Sequence, residues 1–266
     1  MSVQTLYTAA TGMESLQTKL DVLANNLANV NTVGFKKGRA NFEDLFYRQE
    51  KLPGLDDGGD AGPTPTGIAV GLGSRVSSTQ TSFNQGAFQQ TGGQLDLAIE
   101  GEGFFQVTHN GQQFYTRAGN FSLNANGQLV MGSANSGRIV EPAITIPPEA
   151  TDIVVTDNGT VGFRQPPATE LTQAGQLQIS TFANPEGLLK MGDNLYQETE
   201  SSGGAQTGVP GQTGAGFIRQ GSLEASNVEP VQELIDLITT QRAFELNSQT
   251  VQAGDQILQL IANLRR

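Results

Sequence analysis

The chain has 266 residues and a mass of 28.1 kDa, enough for two or more compact units. Its 15 Lys and Arg residues against 26 Asp and Glu give a formal net charge of −11, so it lacks the basic surface that nucleic-acid binding requires. The absence of cysteine excludes disulfides and thiolate metal sites, and no apolar run predicts a membrane-spanning helix or a secretory signal peptide.

The first 30 residues predict one long helix with a coiled-coil seam. Apolar side chains recur every seven residues in one row formed by Leu6, Met13, Leu20 and Leu27. A second row, three residues later, is formed by Ala9, Leu16, Leu23 and Val30. Gly34 is predicted to end the helix as its C′ residue. Further apolar and small residues off the seam predict a helix that is contacted on more than one side, as in a packed array, and an ordinary coiled pair is the alternative.

Asparagines cluster at the end of this helix, at Asn25, Asn26, Asn29 and Asn31. Asparagine competes for backbone hydrogen bonds, so the cluster is typical of a solvated helix end. The alternative is that these amides bind neighbouring chains and set their register, as a buried asparagine does in a coiled coil. The sequence leaves both interpretations open.

Residues 52–67 are rich in proline, glycine and aspartate and show no apolar periodicity. Such a stretch predicts a long loop or an extended arm. The residues that mark it are Pro53, Gly54, Pro63, Pro65 and Gly67.

Residues 76–220 predict an all-β domain of short strands. Three Asn-Gly pairs, beginning at Asn110, Asn126 and Asn158, are typical of hairpin turns. Short apolar runs predict strands at 95–99, 104–107, 121–123, 144–146, 153–155 and 177–179. Residues 201–216 are predicted to form a flexible loop.

The last 40 residues predict a second helix. Ser226 and Glu229 match a capping box, followed by Pro230 in the first turn. One row of residues spaced by seven is apolar, namely Leu237, Phe244, Val251 and Leu258. The companion row is predicted to be Leu234, Gln241, Ser248 and Asp255, which is largely polar. The overall prediction is an α+β protein whose long N- and C-terminal helices form a coiled-coil layer, with a central all-β domain of short strands and an extended Pro/Gly-rich arm. The predicted domains are 1–35, 36–75, 76–220 and 221–266.

The residues give no basis for an enzyme active site. The single histidine, His109, precedes a predicted turn and has no cysteine with which to bind a metal ion. Gly71 and Gly73 are followed by Val76 where a dinucleotide-binding loop needs glycine. We therefore expect no catalytic residues, no metal and no cofactor.

Segments along the whole chain resemble one protein family, the bacterial flagellar rod and hook proteins. The N-terminal motif is LANNLANVNTVGFK at 23–36, and the C-terminal motif is GSLEASNV at 221–228 followed by TQRAFE at 240–245. Between them, QQTG at 89–92, LDLAIEGEGFF at 95–105, YTRAG at 115–119 and GDNLY at 192–196 resemble the β domain of that family. The resemblance is greatest to the subunits of the distal rod.

The resemblance implies a structural subunit of the flagellar basal body that polymerises helically into a rigid hollow drive shaft. Its inner helices would line the export channel, and the shaft would cross the periplasm and transmit motor torque to the hook. The implied partners are other copies of the chain, proximal rod and hook subunits, the ring proteins at the peptidoglycan and outer membrane, and the flagellar type III export apparatus. Export without a cleaved signal peptide is also implied, and nucleic acid is not a partner.

The resemblance and the heptad pattern together assign self-assembly to residues of the two helices. In the first helix these are Leu6, Met13, Leu16, Leu20, Leu23, Asn25, Asn26, Leu27, Asn29 and Val30. In the second they are Leu234, Leu237, Phe244, Val251, Leu258 and Ile261. Within the family, a proximal rod or hook subunit is the alternative. From other classes, a secreted β-domain adhesin that binds glycans through its middle region, or a cell-wall hydrolase, remains open.

Overall fold

A computed structural model of the chain describes residues 3–54, 66–132, 137–166, 170–212 and 214–264. A long helix lies at each end, α1 at Val3–Ala28 and α2 at Pro230–Leu264, and the part between them is rich in β structure. This confirms the predicted α+β class. A short 3₁₀ helix spans Pro185–Gly187.

The strands are short throughout the described residues. The first ten are β1 Gly38–Asp44, β2 Tyr47–Lys51, β3 Ile68–Gly71, β4 Ser74–Thr81, β5 Phe88–Gln90, β6 Leu97–Glu100, β7 Phe104–His109, β8 Gln112–Thr116, β9 Phe121–Leu123 and β10 Leu129–Met131. The remaining ten are β11 Ile139–Glu141, β12 Asp152–Val155, β13 Thr160–Arg164, β14 Thr172–Gln176, β15 Ile179–Thr181, β16 Leu189–Gly192, β17 Leu195–Gln197, β18 Gln206–Gly208, β19 Phe217–Gln220 and β20 Ser222–Glu224.

The chain divides into two compact units. The first unit comprises Met1–Ala28, Gly38–Gln80 and Glu229–Arg266, and the second comprises Asn29–Lys37 and Thr81–Val228. Each unit therefore collects segments that are distant in the sequence.

The first unit combines the two helices with two strand pairs, β1 with β4 and the antiparallel pair β2 with β3. The strand pair β1–β4 lies against α1, where the Ser15 hydroxyl donates to the Ser74 carbonyl over 3.4 Å. A Cβ at Gly73 would lie 2.1 Å from Thr11 Oγ1, so only glycine allows this close approach to α1. Part of the surface of α1, for which the sequence predicted contacts on more than one side, is thus covered by strands of its own chain.

The second unit is built around a nine-stranded sheet in the order β16-β17-β8-β7-β11-β10-β9, with β15 also paired to β7 and β18 paired to β15. A three-stranded sheet, β12-β13-β14, and the pairs β6–β19 and β5–β20 complete the described part of this unit. Alternate residues of these strands fill one apolar core, which includes Phe105, Val107, Leu97, Ile99 and Ile218. A smaller aromatic cluster contains Phe104, Tyr115, Leu188 and Tyr196.

All three predicted Asn-Gly turns connect consecutive antiparallel strands. Asn110 and Gly111 have φ values of 53° and 77° and join β7 to β8 as a two-residue turn. Gly127 and Gly159 also have positive φ, in the longer connections β9–β10 and β12–β13. Two of the strand predictions were wrong: in the run 144–146 Thr145 forms only an isolated bridge to Gln128, and in the run 177–179 only Ile179 lies in a strand, β15.

Both predicted helix caps were wrong. Helix α1 ends at Ala28, and Gly34 adopts its φ of +68° six residues later, where its N–H donates to the Glu224 carbonyl. Helix α2 begins at Pro230, and the Glu229 carbonyl accepts the Glu233 N–H, so Glu229 rather than Ser226 is the N-cap residue. Ser226 lies outside the helix, and the side chain of the next residue, Asn227, accepts from the Lys37 N–H and donates to the Ser82 and Asn84 carbonyls.

Candidate functional site

The two helices pack antiparallel along a seam of small and polar residues. A Cβ at Gly254 would lie 2.5 Å from Leu6 Cδ2, and a Cβ at Gly12 would lie 3.4 Å from Asn247 Nδ2. Toward the other end of α1, Asn26 Nδ2 donates to Glu233 Oε2 over 3.1 Å. These contacts fix a single register between the helices.

This register shows that the companion row predicted for α2 was wrong. The residues that are spaced by seven and face α1 are Glu233, Thr240, Asn247 and Gly254, one position before the predicted row. Leu234, Gln241 and Asp255 are exposed instead. The apolar pattern did not reveal this row, because none of its four residues is large and apolar. The four residues are nevertheless spaced by seven in the sequence.

The predicted assembly residues of α1 are mostly covered within the chain. Leu23 and Asn26 are buried, and Asn25 is exposed. The half-buried members are Leu6, Met13, Leu16, Leu20, Leu27, Asn29 and Val30. Asn29 and Val30 follow the end of α1 and belong to the second unit.

Helix α2 leaves apolar surface open to solvent. Leu237, Phe244 and Val251 are half-buried, whereas the predicted assembly residue Leu258 is exposed, and the side chain of Ile261 lies outside the described residues. We call the apolar residues near the start of α2 the outer stripe: Val231, Leu234, Ile235 and Ile238. Their exposed fractions are between 44% and 71%. A group of exposed apolar side chains of this kind is typical of an interaction surface.

Strands β2 and β3 form a hairpin that leads toward residues 55–65, which are outside the described part of the chain. Pro53, Gly54 and Gly67 are exposed at its end, and Pro63 and Pro65 fall outside the described residues. A Cβ at Gly67 would lie 2.4 Å from the Lys51 carbonyl oxygen, so the two strands approach closely only because this residue is glycine. The hairpin also exposes large apolar side chains, among them Phe46, Tyr47 and Ile68.

In the second unit, three charged residues from distant parts of the sequence form a buried ion group. Lys36 Nζ lies 2.6 Å from Glu224 Oε1, and both side chains are fully buried. Arg117 Nη1 lies 3.6 Å from Glu224 Oε2. Lys36 also donates to the Asn84 carbonyl at 2.8 Å, and Glu224 Oε1 accepts the Gly86 N–H at 2.9 Å. The ion group therefore ties the segment 29–37 to three other segments of the second unit.

Burial shifts the pKa values of several groups in this region. Desolvation lowers the pKa of Lys36, although the adjacent Glu224 carboxylate acts in the opposite direction. Desolvation likewise lowers the pKa of Arg117, against the effect of Glu224. In the neighbouring aromatic cluster, burial raises the pKa of Tyr196, and burial together with Glu198 raises the pKa of Tyr115 to about 12. Lys36, Arg117 and Glu224 all lie in the sequence motifs that resemble the flagellar rod and hook proteins. None of the three was predicted to be a functional residue.

Three family models match successive parts of the chain. They are described as flagella basal body rod protein at residues 6–36, flagellar hook protein FlgE/F/G D1 domain at 98–163, and flagellar basal body rod FlgEFG protein C-terminal at 219–264. The flagellar basal-body rod protein FlgG of Agrobacterium fabrum is 42% identical over 261 residues, which cover 98% of each chain. The chain belongs to the family of flagellar basal-body rod proteins.

A second member of the family, the flagellar basal-body rod protein FlgG of Caulobacter vibrioides, is 43% identical over 264 residues, covering 99% of this chain and 100% of that one. Among solved structures, the Helicobacter pylori flagellar hook protein FlgE2 matches with 14% identity and a TM-score of 0.25, over 71% of this chain and 43% of that chain.

The buried ion group joins all three segments that match the rod family. Lys36 lies in the N-terminal match, Arg117 in the central match and Glu224 in the C-terminal match. Rod proteins are structural, so the chain is a structural protein and not an enzyme. Within the described residues, no helix is long and apolar enough to cross a membrane, and no three His, Asp or Glu side chains are grouped to hold a metal ion.

Proposed function

We propose that the chain is a structural subunit of the distal flagellar rod and that it polymerises helically through its terminal helices. The full-length similarity to two rod proteins supports the assignment to the rod. The observation that carries self-assembly is the outer stripe of α2, which remains exposed after α1 and α2 have packed together. In a tube of identical subunits, this stripe is covered by neighbouring copies through contacts that do not close on themselves.

The proposed arrangement places α1 and α2 in an inner coiled-coil layer that lines an export channel. The β domain at 76–220 lies outside that layer, and the segment 36–75 connects them and supplies an extended arm. Polymerised in this way, the chain forms a rigid hollow shaft that crosses the periplasm and transmits motor torque to the hook. Broad apolar contacts suit this load because a single exposed ion pair contributes at most about 1 kcal/mol.

As a rod component, the chain assembles with other rod and hook components. Its proposed neighbours along the axis are the proximal rod and hook subunits, and its proposed surroundings are the ring proteins at the peptidoglycan and outer membrane. We also propose that it reaches the rod through the flagellar type III export apparatus without a cleaved signal peptide. The naming of both quoted relatives as FlgG favours the distal rod over the proximal rod and the hook.

The test introduces charge into the outer stripe. Ile235→Asp combined with Ile238→Asp changes two exposed residues, so the fold of the monomer is retained and helical circular dichroism stays at the wild-type level. The matched control is Gln112→Asp with Gln113→Asp, which adds the same charge on exposed residues of β8. We expect the stripe variant to lose tube formation in electron micrographs of the purified protein and to fail to restore motility to a strain that lacks its rod protein. Normal assembly of the stripe variant would refute the proposal.

A further inference from the structure

Three Asn-Gly pairs lie in the second unit and take no part in the proposed assembly. They begin at Asn110, Asn126 and Asn158, in the connections β7–β8, β9–β10 and β12–β13. An asparagine before glycine is open to a reaction within the chain, in which the glycine nitrogen attacks the side-chain carbonyl carbon. Glycine permits this attack because it has no Cβ to shield its nitrogen. The three pairs therefore present the same chemistry in three different folded settings.

In two of the three connections the glycine nitrogen is already bonded. The Gly127 N–H donates to the Asn124 carbonyl at 2.9 Å, and the Gly159 N–H donates to the Thr156 carbonyl at 2.8 Å. Both glycines are buried, and a Cβ at Gly127 would lie 2.1 Å from the Ile146 carbonyl oxygen. The nitrogen can lose its proton and attack only after such a turn has opened, as in amide hydrogen exchange.

The third pair, Asn110 and Gly111, is exposed at the tip of the β7–β8 hairpin. A Cβ at Gly111 would meet no atom within 4 Å, and in the part of the chain that the structure describes the Gly111 N–H donates to no carbonyl. Asn110 Nδ2 donates to His109 Nε2 at 3.2 Å. The tip therefore combines an accessible glycine nitrogen with an imidazole beside the amide nitrogen that would leave.

We propose that Asn110 is a site of spontaneous deamidation and that His109 promotes it. The Gly111 nitrogen, after losing its proton to hydroxide, attacks Asn110 Cγ, and the new C–N bond closes a succinimide ring. Nδ2 leaves as ammonia and takes the proton it needs from the imidazole of His109 in its protonated form. Water then opens the ring at one of its two carbonyl groups, so the product is aspartate or isoaspartate.

Either product changes the tip of the hairpin. Aspartate and isoaspartate both add one negative charge. Isoaspartate also adds a backbone methylene group to a turn that has only two residues between His109 and Gln112. Because loop length and turn geometry set the register of a hairpin, isoaspartate would disturb the pairing of β7 with β8.

The experiment incubates the full chain at neutral pH, at concentrations where it sediments as one species. Tryptic digestion and mass spectrometry follow the three conversions in one sample, because each pair lies on its own peptide: 76–117, 118–138 and 139–164. In the folded chain we expect Asn110 to convert more than about tenfold faster than Asn126 and Asn158. In urea the three rates should agree within about threefold, since no turn then protects its glycine. Equal rates in the folded chain, or the same ratio in urea, would overturn the proposal.

A variant of the histidine tests the role of the imidazole. His109→Gln keeps a polar side chain but cannot deliver a proton at neutral pH, and we expect it to slow the conversion of Asn110 about tenfold. Added imidazole should restore part of this loss, which it could not do if the histidine only shaped the turn. Gln113→Asn changes an exposed residue of the same hairpin and should keep the wild-type rate. An unchanged rate in His109→Gln, or a loss that imidazole does not restore, would refute the role of His109. The tube-formation test alters α2 alone, so either proposal can fail without the other.

Discussion

Asn26 and Glu233 are 207 positions apart in the sequence, and their side chains are joined by a buried hydrogen bond of 3.1 Å. The same asparagine amide also forms two hydrogen bonds with the backbone of Gly38: Nδ2 donates to the Gly38 carbonyl at 2.8 Å, and Oδ1 accepts the Gly38 N–H at 2.9 Å. One side chain thus fixes the end of α1, the start of α2 and the start of β1. The sequence left open a solvated helix end or a bond to a neighbouring chain, and for Asn26 the structure shows an internal bond instead.

The first prediction tests this register with two adjacent residues. Glu233 is 5% exposed and Leu234 is 44% exposed, although the apolar pattern favoured Leu234 as the seam residue. We expect Glu233→Ala to lower the free energy of unfolding by about 1–3 kcal/mol, because the buried Asn26 Nδ2 loses one of its two acceptors and keeps only the Gly38 carbonyl. Leu234→Ala should change it by less than about 0.5 kcal/mol. Urea unfolding followed by circular dichroism at 222 nm measures both, and the opposite ranking would restore the predicted row.

The regular parts of the fold could be read from local sequence. The apolar rows of α1 and the Asn-Gly turns are short-range signals, and a turn such as Asn110-Gly111 needs only its own two residues to adopt positive φ. The seam of α2 could not be read this way, since small and polar residues such as Gly254 become seam residues only through the shape of α1. The pairing of Lys36 with Glu224 could not be predicted from local sequence either. These residues are 188 positions apart, and only the fold of the second unit brings them together.

A second prediction concerns the close contact of Leu6 with Gly254. Gly254→Leu should force the helices apart and lower the free energy of unfolding by about 1–3 kcal/mol, because the new side chain overlaps Leu6. Leu6→Ala provides room, so the double variant should recover part of that loss. A double-mutant cycle measured by urea unfolding gives the coupling, and strictly additive effects would show that the two residues do not touch.

Gly34 and Gly92 allow the cost of a left-handed backbone to be separated from the cost of a steric clash. Its φ is +68°, and a Cβ there would lie 2.6 Å from the Ala118 nitrogen, whereas Gly92 has a φ of +71° and nothing within 4 Å. Gly92→Ala should therefore cost only the strain of a left-handed alanine, about 1–2 kcal/mol. Gly34→Ala adds a collision with fixed backbone, and we expect a loss above about 3 kcal/mol. Equal midpoints in thermal unfolding would contradict this difference.

The buried ion group predicts unequal effects for its two directly bonded members. Glu224→Ala leaves the cations of Lys36 and Arg117 buried without a carboxylate, and we expect a loss of about 3–5 kcal/mol in the free energy of unfolding. Lys36→Met leaves the carboxylate beside Arg117 and the Gly86 N–H, so its loss should be smaller, about 1–3 kcal/mol. Near-ultraviolet circular dichroism, to which the buried Tyr115 and Tyr196 of this unit contribute, follows the urea unfolding. A larger effect of Lys36→Met would mean that Arg117 does not stabilise the carboxylate.

The last prediction follows from Tyr115, whose pKa is raised to about 12 by burial and by Glu198. Above about pH 10 the unfolded chain loses the phenol proton while the folded chain keeps it. The contribution of this proton to stability is therefore complete below about pH 10 and is lost as the pH rises through about 12. Tyr115→Phe removes the titration, so its free energy of unfolding should fall less than that of the wild type between about pH 9.5 and 11.5. Tyr196 is present in both chains and cancels in the comparison. Tyr7→Phe, at a ring that is 68% exposed, is the control and should retain the wild-type pH profile. If Tyr115→Phe and the wild type lose stability in parallel, the phenol of Tyr115 does not titrate with the folding of this unit.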